Sequence, residues 1–483
     1  MPGSSSLPVA EAPSLRHWLW TRRWLALGLA ILFVTPRIWY HWTFQGDDFD
    51  LGIYHGVADN LAHGRWFFSD VLGYNHLAEH WNPVMLLFAP LYWLWPSAFW
   101  LMAAQGLAAA ATVLALVWLA ERHLAGLTER RRAVAWWCLL ALFVTYRPFT
   151  ASWWFSFQPI VLGAPCLAWA LVFLHLGRMR SLAVAVILLL TTREAAVLSC
   201  LGLAWYAWRI AGRPRAAIAI AATAAVVAFL VFVVVMPSAQ EHAGWGHTSR
   251  VGLLANPLGK VRYLAGLLLC AGLLPVFAPV IALAALPAAA LQLVVSTETQ
   301  FSGGFHYNAQ LSVFLLAASA AGMAKLLTWM PAQAHWKPLA IPVLALGIAV
   351  SAGDILPLRK FAAAMMPRRW IEGFRMQTDL ARALEIPGIG TDVPLCADPR
   401  LGPWLRTRAG YRCISGSNAA SRIRKLPPGL PLLVRTAWWS ELCTQDPGLS
   451  RRTCLVGDGG SILVLRLTTD DQTQTQLAPA VAR

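Results

Sequence analysis

From Ala216 to Met236 the chain runs without a charged side chain. A helix over those residues is about 31 Å long, enough to cross a hydrocarbon core of roughly 30 Å. Comparable apolar runs recur from residue 21 to residue 356. Lipid offers no partner to a backbone amide, so such runs must form helices that satisfy their own hydrogen bonds. Hydrophobic residues make up 58% of the chain and charged ones 13%, against about 25% charged in ordinary soluble domains. The sequence is therefore that of a polytopic membrane protein.

Spans are expected near 21–40, 98–120, 133–147, 159–176, 181–193, 194–210, 216–236, 263–281, 284–297, 308–326 and 338–356, about eleven in all. Prolines 275, 279 and 287 interrupt one pair, and 133–147 and 181–193 are short. Short and broken helices commonly line cavities. Pro83–Pro96 makes only about 21 Å of helix and is read as a juxtamembrane or re-entrant segment. Tryptophans at span ends, among them Trp18, Trp20, Trp24, Trp136, Trp137, Trp205 and Trp208, are read as interfacial belts, as is Trp153-Trp154-Phe155.

The formal charge is +16, but it sits largely in short loops, around Arg130-Arg131-Arg132, Arg178 and Arg180, Arg209 to Arg215, and Lys325 to Lys337. That is the signature of cytoplasmic loops rather than of nucleic-acid binding. Placing residues 1–19 inside makes the first span an uncleaved anchor running outward. The loop 41–97 is then extracytoplasmic, with six carboxylates against Arg65 alone. The transmembrane part is expected over 20–356, and 357–483 forms a small extracytoplasmic α/β domain. Its cysteines Cys396, Cys413, Cys443 and Cys454 suggest two disulfides in an oxidising compartment. Of three possible pairings, Cys396–Cys413 with Cys443–Cys454 is favoured. A zinc site is the rival reading, but the tail has no C-x-x-C and no histidine.

The first span empties into Asp47-Asp48-Phe49-Asp50, and carboxylates at a water–lipid boundary point to chemistry there. Asp50-Leu51-Gly52-Ile53, Leu61-Ala62-His63-Gly64, His80-Trp81-Asn82-Pro83 and Pro90-Leu91-Tyr92 follow in order, with Gln105, Phe157-Gln158-Pro159, Arg193-Glu194-Ala195 and Gly304-Phe305-His306-Tyr307 later. This succession resembles the membrane-protein family named domain of unknown function 2079, departing from it at His55, where many members have an acid, and at Gln158, where His is usual. The family in turn resembles GT-C glycosyltransferases. That resemblance implies a mainly α bundle of GT-C-like architecture and transfer of a sugar from a polyprenyl-phosphate donor to an extracytoplasmic glycan, lipid or protein acceptor. It also implies a loop carboxylate as base: Asp50 matches the Asp-Leu-Gly-Ile position, and Asp47 or Asp48 lies where a GT-C acid pair would fall.

Sugar transfer needs a base for the acceptor hydroxyl and cationic or hydrogen-bonding groups for the departing phosphate. Asp50, Asp48 and Asp47 are the candidate bases. Arg193 is the candidate phosphate contact, with Glu194 beside it; the bland alternative is that the two satisfy each other in a broken helix. His80 and His306, with Tyr307, border apolar helices and are candidates for substrate contact or for helix capping. His55, His63 and His76 are read as surface or interface residues. Trp245, in the loop 237–262, would stack on a sugar or pack against the tail. A Mg²⁺ or Mn²⁺ ion could bridge carboxylates and phosphate, but no ligand motif fixes one. The rival functions are a lipid or glycan flippase, disfavoured by the lack of an internal repeat, and a non-catalytic membrane assembly protein, kept open by His55 and Gln158.

Overall fold

The computed structural model describes residues 14–45, 48–243, 254–329, 337–352, 365–389, 393–405, 412–414 and 419–468, with the single positions 252, 359, 362 and 363. Leu15–Thr21 leads into the helix Arg23–Trp42. The loop after it holds the helix Asp48–Ala62, a two-stranded hairpin of β1 (Phe68–Ser69) and β2 (Tyr74–Asn75), a 3-10 turn Pro83–Phe88 and the short helix Ala89–Leu94. Its own hydrophobic cluster joins Leu51, Val57, Met85, Phe88 and Tyr92 to Leu101 and Phe157.

Four helices are long and apolar enough to span a membrane: Phe99–Leu124, Pro159–Leu176, the continuous run Pro214–Glu241 and His306–Trp329. A fifth is gained if Glu129–Thr145 and Arg147–Trp154, bent by 42°, count as one. The expected eleven is thus not reproduced by length alone among the described residues. Met179–Leu190 and Ala196–Arg209 are short. The stretch read as a span over 263–281 stops at Leu269, because Gly272 and Leu273 take left-handed backbone and Pro275 begins a separate turn. Further short helices follow at Pro279–Ala282 and Leu286–Val294.

Lipid tails are as apolar as leucine, so this bundle relies on close packing rather than on expulsion from water. Gly202 and Gly322 show how. A Cβ on Gly202 would collide with the carbonyl of Ala284, and one on Gly322 with that of Leu274. The same logic separates the spans: 78% of the His306–Trp329 window is buried inside the protein but only 17% of that in Pro214–Glu241, which therefore faces lipid on most sides. Trp153 is buried against Phe33, with ring centroids 4.9 Å apart, so it is a core residue and not part of a belt. Trp18 is buried as well, its indole donating to Glu121 Oε2 at 2.6 Å.

The C-terminal part is a mixed sheet in the order β4 (Arg412–Cys413), β3 (Cys396–Ala397), β5 (Pro431–Arg435), β7 (Ile462–Leu467), β6 (Thr453–Asp458). β3 runs parallel to β4 and β5, and the β5, β7 and β6 pairings are antiparallel. Alternation along β7 divides the core: Ile462 and Val464 face a cluster with Leu380, Ala383 and Phe44, whereas Leu465 and Leu467 face one with Ile423, Trp439 and Leu442. Phe44 belongs to the first loop, so the two parts share a core. Trp404 reinforces this contact by stacking on His41 at 4.8 Å with rings nearly parallel.

The expected Cys443–Cys454 disulfide is not formed. Cys443 lies on the helix Thr436–Gln445, and Cys454 lies on β6 with its thiol directed at the carbonyl of Arg466, 3.6 Å away. For the other pair, the register sets Cys396 opposite Arg412 rather than Cys413, whose side chain lies outside the described residues. Cys443 and Cys454 are each expected to take up a maleimide in denaturant without prior reduction. Recovery of either residue as a disulfide peptide would contradict the structure.

Candidate functional site

The site forms where the loop helix Asp48–Ala62 meets two chain breaks, one before Pro159 and one between Leu190 and Ala196. Gln158 precedes the helix Pro159–Leu176, and its backbone amide donates to Gln105 Oε1 at 3.3 Å. Gln105 in turn donates to the carbonyls of Trp153 and Phe155, satisfying backbone that the end of the helix Arg147–Trp154 leaves without helical partners. Gln158 is thereby fixed in orientation, and its side chain becomes the hub of the site. Its Nε2 donates to Asp50 Oδ1 at 2.9 Å, while its Oε1 accepts from Tyr54 OH at 3.1 Å and from Arg193 Nη1 at 2.9 Å.

Arg193 extends the chain of contacts. Its Nη2 lies 2.6 Å from His80 Nε2, and His80 Nδ1 lies 3.0 Å from Glu194 Oε1. The shorter contacts are met by the tautomer in which Nδ1–H donates to the carboxylate and the Nε2 lone pair accepts from the guanidinium. Burial lowers the pKa of His80 and the Arg193 charge lowers it further, with Glu194 opposing both. Glu194 also accepts the backbone N–H of Trp81 at 3.0 Å and stands 3.5 Å from Arg193 Nε. The break supplies the remaining bonds, with Trp81 Nε1 donating to the Leu190 carbonyl and the Val84 amide to that of Thr191.

The structure thus brings Asp50, His80, Arg193 and Glu194 into one hydrogen-bonded cluster. His306 lies within electrostatic reach of Arg193 and His80, and Tyr307 of Arg193 and Asp50. His306 is buried, with neither ring nitrogen hydrogen-bonded among the described residues, and its ring lies against Phe155. Asp47 and Trp245 lie outside the described residues, as does the side chain of Asp48. His55 and His76 are corrected: both are buried, because His55 Nδ1 pairs with Tyr92 OH at 2.8 Å and His76 Nδ1 accepts from Asn82 Nδ2 at 3.3 Å. His63 is exposed. Tyr54 and the role of Gln158 were not foreseen. The available signal was a polar residue just before a proline-started apolar helix. Among the described residues, no three His, Cys, Asp or Glu side chains gather as a metal site.

Burial takes His76 down to about 3, with the charges of His80 and Arg193 acting in the same direction. Its ordinary value is about 6.5, so between roughly pH 3 and 6.5 the unfolded chain binds more protons than the folded one. Stability is complete above about 6.5 and falls with pH through that window. Thermal midpoints in lipid nanodiscs are expected to drop between pH 7 and pH 4.5, and to drop less for His76→Gln. Equal pH dependence in the two proteins would sink this assignment.

A concavity of about 360 Å³ opens between Arg147, Arg262, Tyr263, Leu267, Glu298 and Phe301. Tyr263 donates to Asn308 Oδ1 at 2.6 Å, in the same short turn as His306. Glu298 is held by Asn256 at 2.7 Å, and neither Arg147 nor Arg262 has an ion-pair partner among the described residues.

A broken-helix bundle under an acidic first loop, with a small α/β domain packed on that loop, defines the GT-C class of membrane protein fold. Residues 40–367 match the family described as predicted membrane protein, DUF2079, and the chain belongs to that family. Among solved structures it is similar to ArnT from Cupriavidus metallidurans bound to undecaprenyl phosphate, with TM-score 0.50 and 15% identity over 94% of this chain and 98% of that one. The apo state of the same protein gives TM-score 0.49 and 15% identity over 93% and 98%. No curated protein matches the chain.

Proposed function

We propose that the chain is a membrane glycosyltransferase that moves a sugar from a polyprenyl-phosphate donor to an acceptor outside the cytoplasm. The supporting observation is the Asp50–Gln158–Arg193–His80–Glu194 cluster. Buried ionisable groups at membrane depth are costly, and a chain that keeps five polar groups in register is using them. In this reading Asp50 takes the proton of the acceptor hydroxyl as that oxygen attacks the anomeric carbon, and the bond to the carrier phosphate breaks. Gln158 aims the Asp50 carboxylate. Arg193, held by Gln158 and His80, places a fixed positive charge where the leaving phosphate gains negative charge. Asp48 and Asp47, next to Asp50 in the sequence, are further acids for acceptor orientation, and Trp245 a stacking surface.

His306 and Tyr307 line the approach, His306 having buried nitrogens for a ligand to meet. The concavity with Arg147 and Arg262 suits a phosphate headgroup whose lipid tail remains in the bilayer. Among the described residues no cluster of carboxylates and histidines would hold a Mg²⁺ or Mn²⁺ ion. The protein sits in the bacterial cytoplasmic membrane with its N-terminus inside and residues 357–483 outside. Deleting the chain and profiling lipids by mass spectrometry tests the proposal. Accumulation of one polyprenyl-phosphate sugar, together with loss of one surface glycan, supports transfer and identifies the donor. Unchanged lipids and glycans overturn it.

A further inference from the structure

We propose that the helix Pro367–Glu385 lies in the headgroup layer of an anionic bilayer leaflet and fastens the C-terminal sheet to the lipid surface. One side of this helix is committed to protein. Leu380 and Ala383 enter the sheet core, Asp379 accepts from the Ser461 hydroxyl and amide, and Gly373 sits so close to the first span that a Cβ there would lie 3.1 Å from Thr43 Cγ2.

The other side is apolar and uncovered. Met366, Ile371 and Phe374 are 56%, 64% and 55% exposed, and Trp370 is partly exposed beside them. At about 100° per residue Trp370, Ile371 and Phe374 share one stripe, and Met366 stands just before the first turn. Arg368 and Arg375 fall together on its flank, both exposed. Between residues 367 and 382 four arginines face two acids. Arg368 and Arg369 share Glu372, and Arg375 has no ion-pair partner among the described residues.

The location of the stripe decides its occupant. The Trp370 ring lies 4.0 Å from that of Trp39, three residues before the end of the helix Arg23–Trp42. That helix presents Trp24, Leu27 and Ile31 outward along its length and ends where the polar first loop begins. The contact therefore holds Pro367–Glu385 at the level where hydrocarbon gives way to headgroups. Large apolar side chains flanked by arginines at that depth fit an interfacial helix, with the apolar residues in the acyl boundary and the guanidiniums among lipid phosphates. An anionic leaflet strengthens the second of these contacts.

The test uses the full chain reconstituted in vesicles, carrying the photoreactive residue p-benzoylphenylalanine at Ile371, at Phe374 or, as an exposed control elsewhere in the sheet domain, at Glu441. Vesicles contain phosphatidylcholine alone or mixed with phosphatidylglycerol. The expected result is lipid adducts at 371 and 374 but few at 441, with a yield several-fold higher when phosphatidylglycerol is present. Arg368→Gln with Arg375→Gln should remove that increase while leaving the thermal midpoint near that of the parent, which separates lost docking from lost folding. Adducts mainly to a second copy of the chain would make the stripe a protein interface and overturn the proposal. Equal lipid labelling at 441, or a yield indifferent to phosphatidylglycerol in the parent, overturns it as well. None of these readouts depends on the chemistry assigned to Asp50.

Discussion

Asp50→Asn is expected to lower sugar transfer by about 10²- to 10⁴-fold, the range for loss of a positioned general base. The substitution is well suited to the site. Gln158 donates to Oδ1, and an asparagine oxygen still accepts that bond, so the fold should be retained. Cells carrying the variant at matched protein level should accumulate the polyprenyl-phosphate sugar, while the purified variant melts within a degree or two of the parent. Full transfer by the variant would remove Asp50 from the mechanism. A variant that changes movement of a lipid across the membrane while leaving the sugar-lipid pool untouched would instead indicate a flippase.

The second large effect is on stability. Glu194→Ala removes the partner of His80 Nδ1 and of the Trp81 amide, and leaves Arg193 buried with its nearest counter-charge gone. Breaking one side of a buried ion pair typically costs about 3–5 kcal/mol. The variant should therefore reach the membrane in low yield and unfold in nanodiscs many degrees below the parent. Glu194→Gln, which keeps an acceptor for the Trp81 amide, should lose less. A thermal midpoint for Glu194→Ala close to the parent's would mean that His80 and Arg193 are satisfied in another way.

Much of the site was legible because its residues break a strong pattern. Asp50, His80, Arg193, Glu194, His306 and Tyr307 are polar interruptions at the borders of apolar helices, where an uncharged residue would be the default. The hub was harder to read. Gln158 carries no charge, and its importance lies in using both ends of one amide, which is a matter of orientation and not of residue type. Two histidines of the first loop were misjudged because a polar loop suggests solvent, whereas His55 and His76 turn inward to meet Tyr92 and Asn82. Cysteine spacing misled for a related reason: Cys443 and Cys454 are near in sequence, but one lies on a helix and the other on a strand. The number of spans depends on where Gly272, Leu273 and Pro275 stop a helix, which hydropathy alone does not register.

The bonds at the break after Leu190 have a consequence for how this region tolerates change. The Trp81 and Val84 donors are main-chain groups, one held by the Glu194 carboxylate and the other by the Thr191 carbonyl. Side-chain substitution at 81 or 84 leaves those donors in place; only proline deletes them. On the loop side the stitching donors are thus atoms that side-chain substitution does not remove, while on the broken-helix side one acceptor is the Glu194 carboxylate and the other the Thr191 main chain. Sequence drift at 81 and 84 can therefore change the loop's side chains while its two main-chain bonds to the broken helix persist.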